Sequence, residues 1–235
     1  MTMLEGLGEE PEIRLHDYWR SSASYRVRIA LALKGISYRR TSVDLQTDAH
    51  KVEAYLQLNP QGVVPTLEID GRVLTQSLAM IEYLDETRPN TPLLSSDPAE
   101  RAQARAIALA IASQIHPISN LGVLSRVEAM AGKDERNRWN RDNLRIGLEC
   151  VERMVGSSGL HAEFCQGSSP GLADCVLIPQ LYNAARWDVD FGDLPCLTRI
   201  EQSCQQHPAF IAAHPANFEP SQTDGLCGSV ANIWG

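Results

Sequence analysis

Apolar and polar positions alternate over Ile13-Arg14-Leu15-His16, the period-two signature of a short strand. The period then changes. Val27, Leu31 and Lys34 recur at helical spacing, as do Ile29, Ala30 and Leu33, while Ser21, Ser22 and Ser24 offer hydroxyls at the helix start and Gly35 supplies a stop. A second strand is predicted over Ile36 to Val43, then a helix over Ala49 to Leu58 that Asn59-Pro60 ends. Val63 to Ile69 and Arg72 to Thr75 flank Asp70-Gly71, a two-residue hairpin turn. Leu78, Ile81 and Leu84 then share one face of a helix opened by Gln76-Ser77 and running to about Glu86. Strand, helix, strand in this order predicts two parallel strands joined by a crossover.

The second half has a helical period throughout. Arg88 to Pro92 breaks the pattern and Asp97-Pro98 opens the next element. Pro98 to about Met130 is alanine-rich, with Ile107, Ile111, Ile115 and Ile118 spaced for one buried face and a kink expected at Pro117. Lys133 to Arg141 is polar and reads as a loop leading into a helix, which carries a Leu144, Leu148, Val151 and Val155 stripe. A long connection over Gly156 to Ser169 precedes an apolar run from Gly171 to Leu181, and a last helix is predicted from Cys196 to Gln206. The resulting organisation is a flexible extension over 1–12, a first domain over 13–88, a linker over 89–97, an all-helical domain over 98–218 and a mobile tail over 219–235.

Composition narrows the class. A chain of 235 residues with 43% hydrophobic content suits two domains of about 80 and 120 residues. Its net charge of -8 argues against nucleic acid and anionic membrane as partners, and an acidic ligand would need arginines gathered locally. No run of roughly 18 apolar residues predicts a membrane span, and Met1 to Glu12 is acidic rather than signal-like, so a cytoplasmic location is expected. Six cysteines, Cys150, Cys165, Cys175, Cys196, Cys204 and Cys227, form no Cys-x-x-Cys pair and no zinc pattern, so reduced thiols and no metal are expected.

The stretch Arg20-Ser21-Ser22-Ala23-Ser24-Tyr25-Arg26-Val27-Arg28-Ile29-Ala30-Leu31 resembles the active-site signature of zeta-class glutathione transferases, a family that includes maleylacetoacetate isomerases. That signature usually reads Ser-Ser-Cys-x-Trp-Arg-Val-Arg-Ile-Ala-Leu, so Ala23 and Tyr25 are departures. The likeness continues from about Ile13 to about Pro220. It implies an α/β plus all-α fold: an N-terminal thioredoxin-like βαβαββα domain followed by a C-terminal helical bundle domain. It also implies glutathione as cofactor and a homodimer. Taken alone, Val64-Pro65 reads as an ordinary trans edge proline, whereas the family places a cis proline there and leaves the Val64 backbone to pair with an extended peptide. Gln76-Ser77 match the pair that holds the γ-glutamyl carboxylate of glutathione. Gly171 to Leu181 resembles the family's capped, buried helix, with Asp174 as a structural capping residue.

The chemistry implied is thiolate chemistry. A serine is no base for a thiol, but its hydroxyl donates to sulfur and, with a helix N-terminus and an arginine, favours the anion. The resemblance assigns this to Ser21, with Ser22 supporting and Arg20 beside them. Arg186 matches an arginine that meets a substrate carboxylate, and otherwise pairs with Asp188 or Asp190. His116, in Ile115-His116-Pro117, is either structural or a glutathione and substrate contact. Asn120 resembles a substrate-side residue of maleylpyruvate isomerases, which usually add an arginine where this chain has Gly122. The expected reaction is a glutathione-dependent cis–trans isomerisation of maleylacetoacetate to fumarylacetoacetate, a small dianionic diketo acid, in tyrosine breakdown. Maleylpyruvate isomerisation, glutathione transfer or dehalogenation of small α-haloacids, and non-catalytic ligand carriage are the alternatives.

Overall fold

Strands β1 (Arg14–Asp17), β2 (Arg39–Ser42), β3 (Thr66–Ile69) and β4 (Arg72–Thr75) form one sheet in the order β2-β1-β3-β4 in the computed structural model, which describes residues 13–157 and 162–220. Helix α1 (Ser22–Leu33) carries the chain across one face, so β1 and β2 are parallel with Leu15 opposite Arg40. β3 runs antiparallel to both β1 and β4, and Asp70 and Gly71 take φ of 54° and 70°, as a tight hairpin of primed type requires.

α1 is buried nearly all round, between the sheet and the second domain, and Val27, Ile29, Ala30 and Leu31 have no exposed surface. A helix in that position has no solvent face to satisfy its ends, so caps matter. Ser21 Oγ accepts from the Ser24 N–H at 3.2 Å, and Gly35 turns the C-terminus at φ 64° while Ile36 N–H closes on Leu31 O at 2.9 Å. The predicted helix over Ala49 to Leu58 is two pieces, a 3₁₀ turn over Ala49–Lys51 and α2 (Glu53–Leu58), separated where Val52 is extended. α3 (Ser77–Thr87) starts with Gln76 in the capping position, so Ser77 is the first helical residue rather than the cap.

Asp97 opens α4 (Pro98–Leu109) by accepting from the Ala99 and Glu100 N–H groups at 2.9 Å each. The long helix expected to kink at Pro117 is instead interrupted three times. A π-helical turn spans Ala110–Ile115, a 3₁₀ turn spans Pro117–Ser119, and Asn120 is extended before α5 (Leu121–Ala131). Counted as one run, Pro98–Ala131 is long and apolar enough to cross a bilayer by length and composition, contrary to the sequence reading. Its Ile107, Ile111 and Ile115 are buried in the protein's own core, and Ile118 only partly.

α6 (Lys133–Gly156) corrects the sequence reading more directly: the polar Lys133 to Arg141 stretch is helix, not loop. Its polarity marks two turns facing solvent, stabilised by Asp134 and Glu135 at the N-terminus and by an Arg136–Glu128 ion pair at 2.7 Å. Farther along, Leu144, Leu148, Val151 and Val155 are buried as their spacing predicts. α7 (Leu172–Arg186) follows, with Asp174 accepting from the Gly171 N–H at 2.9 Å and the Cys165 N–H at 2.8 Å. Gly171 has a steric cause: a Cβ there would lie 2.7 Å from Leu93 O, the carbonyl that accepts from Leu172 N–H. α8 (Pro195–Gln206) is followed by α9 (Pro208–Ala213), which the sequence reading missed; His207 Nδ1 caps it by accepting from the Ala209 N–H. One buried apolar cluster runs through both halves, from Leu15, Leu31 and Leu67 to Leu144, Leu177 and Leu197. The five cysteines among the described residues are free thiols. Cys227, the 1–12 extension and residues 221–235 of the expected tail lie outside the described residues.

Candidate active site

The turn from β1 into α1 carries the first group of candidates. Ser21 caps α1 through its oxygen lone pair, which leaves its hydroxyl proton free to donate at the positive end of the helix. Ser22 points the other way. It is buried and donates to Pro179 O of α7 at 3.4 Å, so it ties the two domains together beneath Ser21. Ala23 is partly exposed beside them. Tyr25, in place of the usual tryptophan, is buried edge-on against Tyr182 and His214, and burial pushes its phenol pKa far up, so it is packing.

Across the cleft the Val64-Pro65 bond is cis. The β1–β3 ladder begins at Thr66, so the Val64 backbone lies beyond it. Two residues not anticipated hold this loop: Tyr55 Oη donates to Val63 O at 2.8 Å, and buried Asn59 Nδ2 donates to the same oxygen at 2.7 Å. Gln76 sits at φ 68° with its amide donating to Gln61 Oε1 at 2.8 Å, a strained backbone of the kind that sites retain. Ser77 is buried next to it at the N-terminus of α3.

Behind Ser77 stands a residue the sequence reading passed over. Arg26 Nη1 donates to Ser77 Oγ at 3.3 Å, while its Nε and Nη2 find no partner among the described residues. Two arginines in an apolar helix stretch, Arg26 and Arg28, were the available signal, and it does not distinguish them. His116 follows the π-helical turn, whose i to i−5 bond from His116 N–H to Ile111 O is 2.9 Å. Close approach there is possible because Gly147 leaves room for Ile115: a Cβ on Gly147 would meet that side chain at 2.6 Å. Desolvation, with Arg26 adding repulsion, pulls the His116 pKa down to about 3, so its imidazole is neutral.

The rim is cationic. Arg20 donates to Tyr18 Oη at 3.0 Å and stacks on Trp19 at 4.8 Å. Arg186 lies over Tyr182 at 5.9 Å; although it keeps exposed surface, desolvation lowers its pKa, and Arg20 lowers it further, which puts the two guanidiniums in each other's field. The acidic residues expected to neutralise Arg186 are otherwise engaged. Asp188 pairs with Arg141 at 3.0 Å, and Asp190 accepts from the Gly192 N–H at 2.9 Å. Asn120 is exposed and caps α5, its Oδ1 accepting from Gly122 N–H at 3.3 Å, which leaves its amide N–H groups unused by the cap.

A β2-β1-β3-β4 sheet with the N-termini of α1 and α3 at one end, backed by a helical domain, is the arrangement of the glutathione S-transferase fold. Residues 20–87 match the glutathione S-transferase N-terminal domain. The chain is 51% identical over 211 residues to the maleylacetoacetate isomerase of Rhizobium meliloti (strain 1021), covering 89% of this chain and 99% of that one. The maleylacetoacetate isomerase of Anaeromyxobacter dehalogenans 2CP-1, solved with glutathione in its active site, superposes with a TM-score of 0.80 at 38% identity over 89% of this chain and 97% of that one. The same enzyme has also been solved with dicarboxyethyl glutathione and citrate. A bacterial zeta-class maleylpyruvate isomerase in its holo form gives a TM-score of 0.84 at 35% identity, covering 88% and 99%. The chain belongs to the maleylacetoacetate isomerase family of zeta-class glutathione transferases.

Proposed function

We propose that this chain isomerises maleylacetoacetate to fumarylacetoacetate in tyrosine and homogentisate catabolism, with glutathione as cofactor. The observation that carries the reading is the pair Arg20 and Arg186, two cations in each other's field without a carboxylate partner among the described residues, the first of them next to Ser21 in the chain, in a protein of net charge -8. The residues present fit glutathione: Val64 offers backbone beyond the ladder, Gln76 and Ser77 sit at the start of α3, and Arg26 has unpartnered N–H groups behind them. Bound there, glutathione would supply the nucleophilic thiol group needed for reversible addition to the cis double bond.

The chain's part is electrostatic. Ser21, whose hydroxyl proton the cap leaves unused at the positive end of α1, would donate to the sulfur and favour thiolate over thiol. Arg20 and Arg186 bind the two carboxylates and offer donors where enolate charge develops. Neutral His116 adds a hydrogen-bonding group without a further charge. Asn120, whose amide N–H groups the cap leaves unused, is the residue the family likeness assigns to the substrate. A maleylpyruvate substrate is the second reading, supported by the fold match to that isomerase. The related homodimer fits a groove of ≈ 510 Å³ between α3 and α4, where Leu78, Tyr83 and half-exposed Leu109 surround an Arg105–Glu82 pair; light scattering at twice the chain mass supports it and a monomer overturns it. Free thiols suit a cytosolic location.

The test is a spectrophotometric assay with maleylacetoacetate and with maleylpyruvate, each with and without glutathione. Fast isomerisation of maleylacetoacetate only when glutathione is present supports the reading. Preference for maleylpyruvate moves the assignment to the second, and turnover independent of glutathione refutes both.

A further inference from the structure

Arg26 is 2% exposed, its guanidinium keeps one hydrogen bond, and no carboxylate among the described residues pairs with it. Desolvation alone accounts for its pKa, lowered to about 10, so it remains charged at neutral pH. An isolated buried cation is costly unless a counter-charge completes it. Its surroundings deepen the imbalance. Ser77 opens α3, so the free N–H groups of that helix add positive potential at the same point, and His116 nearby is neutral. Three elements therefore converge on a place where positive potential accumulates and no carboxylate among the described residues answers it.

The hydrogen bond gives that place a direction. Arg26 Nη1 donates to the Ser77 oxygen, which turns the single hydroxyl proton of Ser77 away from Arg26 and toward an outside acceptor. A planar carboxylate suits such a site, taking the Ser77 proton and the N–H groups of the helix start while the guanidinium charge stands behind them. Resting on the glutathione reading above, we propose that Arg26 is a positioning residue for the free α-carboxylate of the γ-glutamyl arm: it orients Ser77 as a donor and supplies the buried charge that this carboxylate neutralises.

The experiment is calorimetric titration of wild type, Arg26→Met and Arg26→Lys with two probes: glutathione, and the analogue γ-aminobutyryl-cysteinyl-glycine, which lacks only that carboxylate. Arg26→Met should weaken glutathione binding roughly 10- to 100-fold and leave the analogue within about twofold, because a charged hydrogen-bonding partner is lost for one probe alone. Arg26→Lys, which keeps the charge, should recover most of the loss and guards against a variant that misfolds. Equal weakening of both probes, or none of either, overturns the proposal. Failure of wild type to bind glutathione at all overturns the reading beneath it instead.

Discussion

Two buried arginines stand two residues apart on α1, and their surroundings are opposites. Arg28 is saturated. It donates to both carboxylate oxygens of Asp17 at 2.9 and 2.8 Å, to Trp19 O at 2.9 Å and to Ala213 O at 3.2 Å, and it stacks on Phe218 at 4.5 Å. Those bonds pin α9 and the segment after it to the sheet. Arg26, equally buried, has Ser77 as its one hydrogen-bond partner among the described residues. A buried cation whose every nitrogen is partnered belongs to the fold, whereas one left short of acceptors belongs to whatever the fold binds.

The contrast is sharpest in stability. Arg28→Met should cost about 3–5 kcal/mol, because Asp17 keeps only Arg40 at 2.8 Å and loses its main partner in a site without solvent. The urea midpoint reads it, and a cost under about 1 kcal/mol would mean that Arg28 is as dispensable to the fold as Arg26. Ser21→Ala acts at the other end of the same helix, on both function and fold. Turnover should fall at least about tenfold with glutathione still bound, and stability by about 1 kcal/mol as the cap is lost; unchanged turnover removes Ser21 from the chemistry. At the rim, Arg186→Ala should raise KM for the dianionic substrate about tenfold and barely change that for a neutral electrophile, since an exposed cation contributes modestly. Equal effects on the two would refute a carboxylate role.

The smallest effect belongs to His116. Its folded pKa near 3 lies below the ordinary 6.5, so between those values the unfolded chain holds a proton that the folded chain does not. Stability is therefore full above about pH 6.5 and falls as pH drops toward 3. Urea midpoints at pH 7.5 and 5.5 should show about 1 kcal/mol of that loss in wild type, and His116→Gln should lack this share of it. An identical acid loss in the variant would place the titrating group elsewhere.

Much of this was legible in the sequence, and the illegible parts share a cause. Stripes such as Leu144, Leu148, Val151 and Val155, the Asp70-Gly71 turn and the serines at the start of α1 are local signals, and each marks its element. The start of α6 was hidden because solvent-facing turns are polar, as loops are. Helix α9 was hidden because six residues show too little periodicity, and its burial comes from α1. Ser21, Gln76 and Ser77 were singled out by the family resemblance, and they stand at the starts of α1 and α3. Arg26 and Arg28 looked alike because what separates them, Asp17 and Ala213 against Ser77, is supplied by other elements, β1 and α9 for one and α3 for the other. Gly171 likewise takes its reason from Leu93, far away in the chain.

The contrast between the two arginines comes down to one denaturation series: urea unfolding of wild type and Arg26→Met, each with and without saturating glutathione. The account predicts that the free proteins unfold within about 1 kcal/mol of each other, since one hydrogen bond is lost, while the stabilisation conferred by glutathione shrinks sharply in the variant. A free variant destabilised as far as Arg28→Met, or a glutathione increment equal in both proteins, would contradict it.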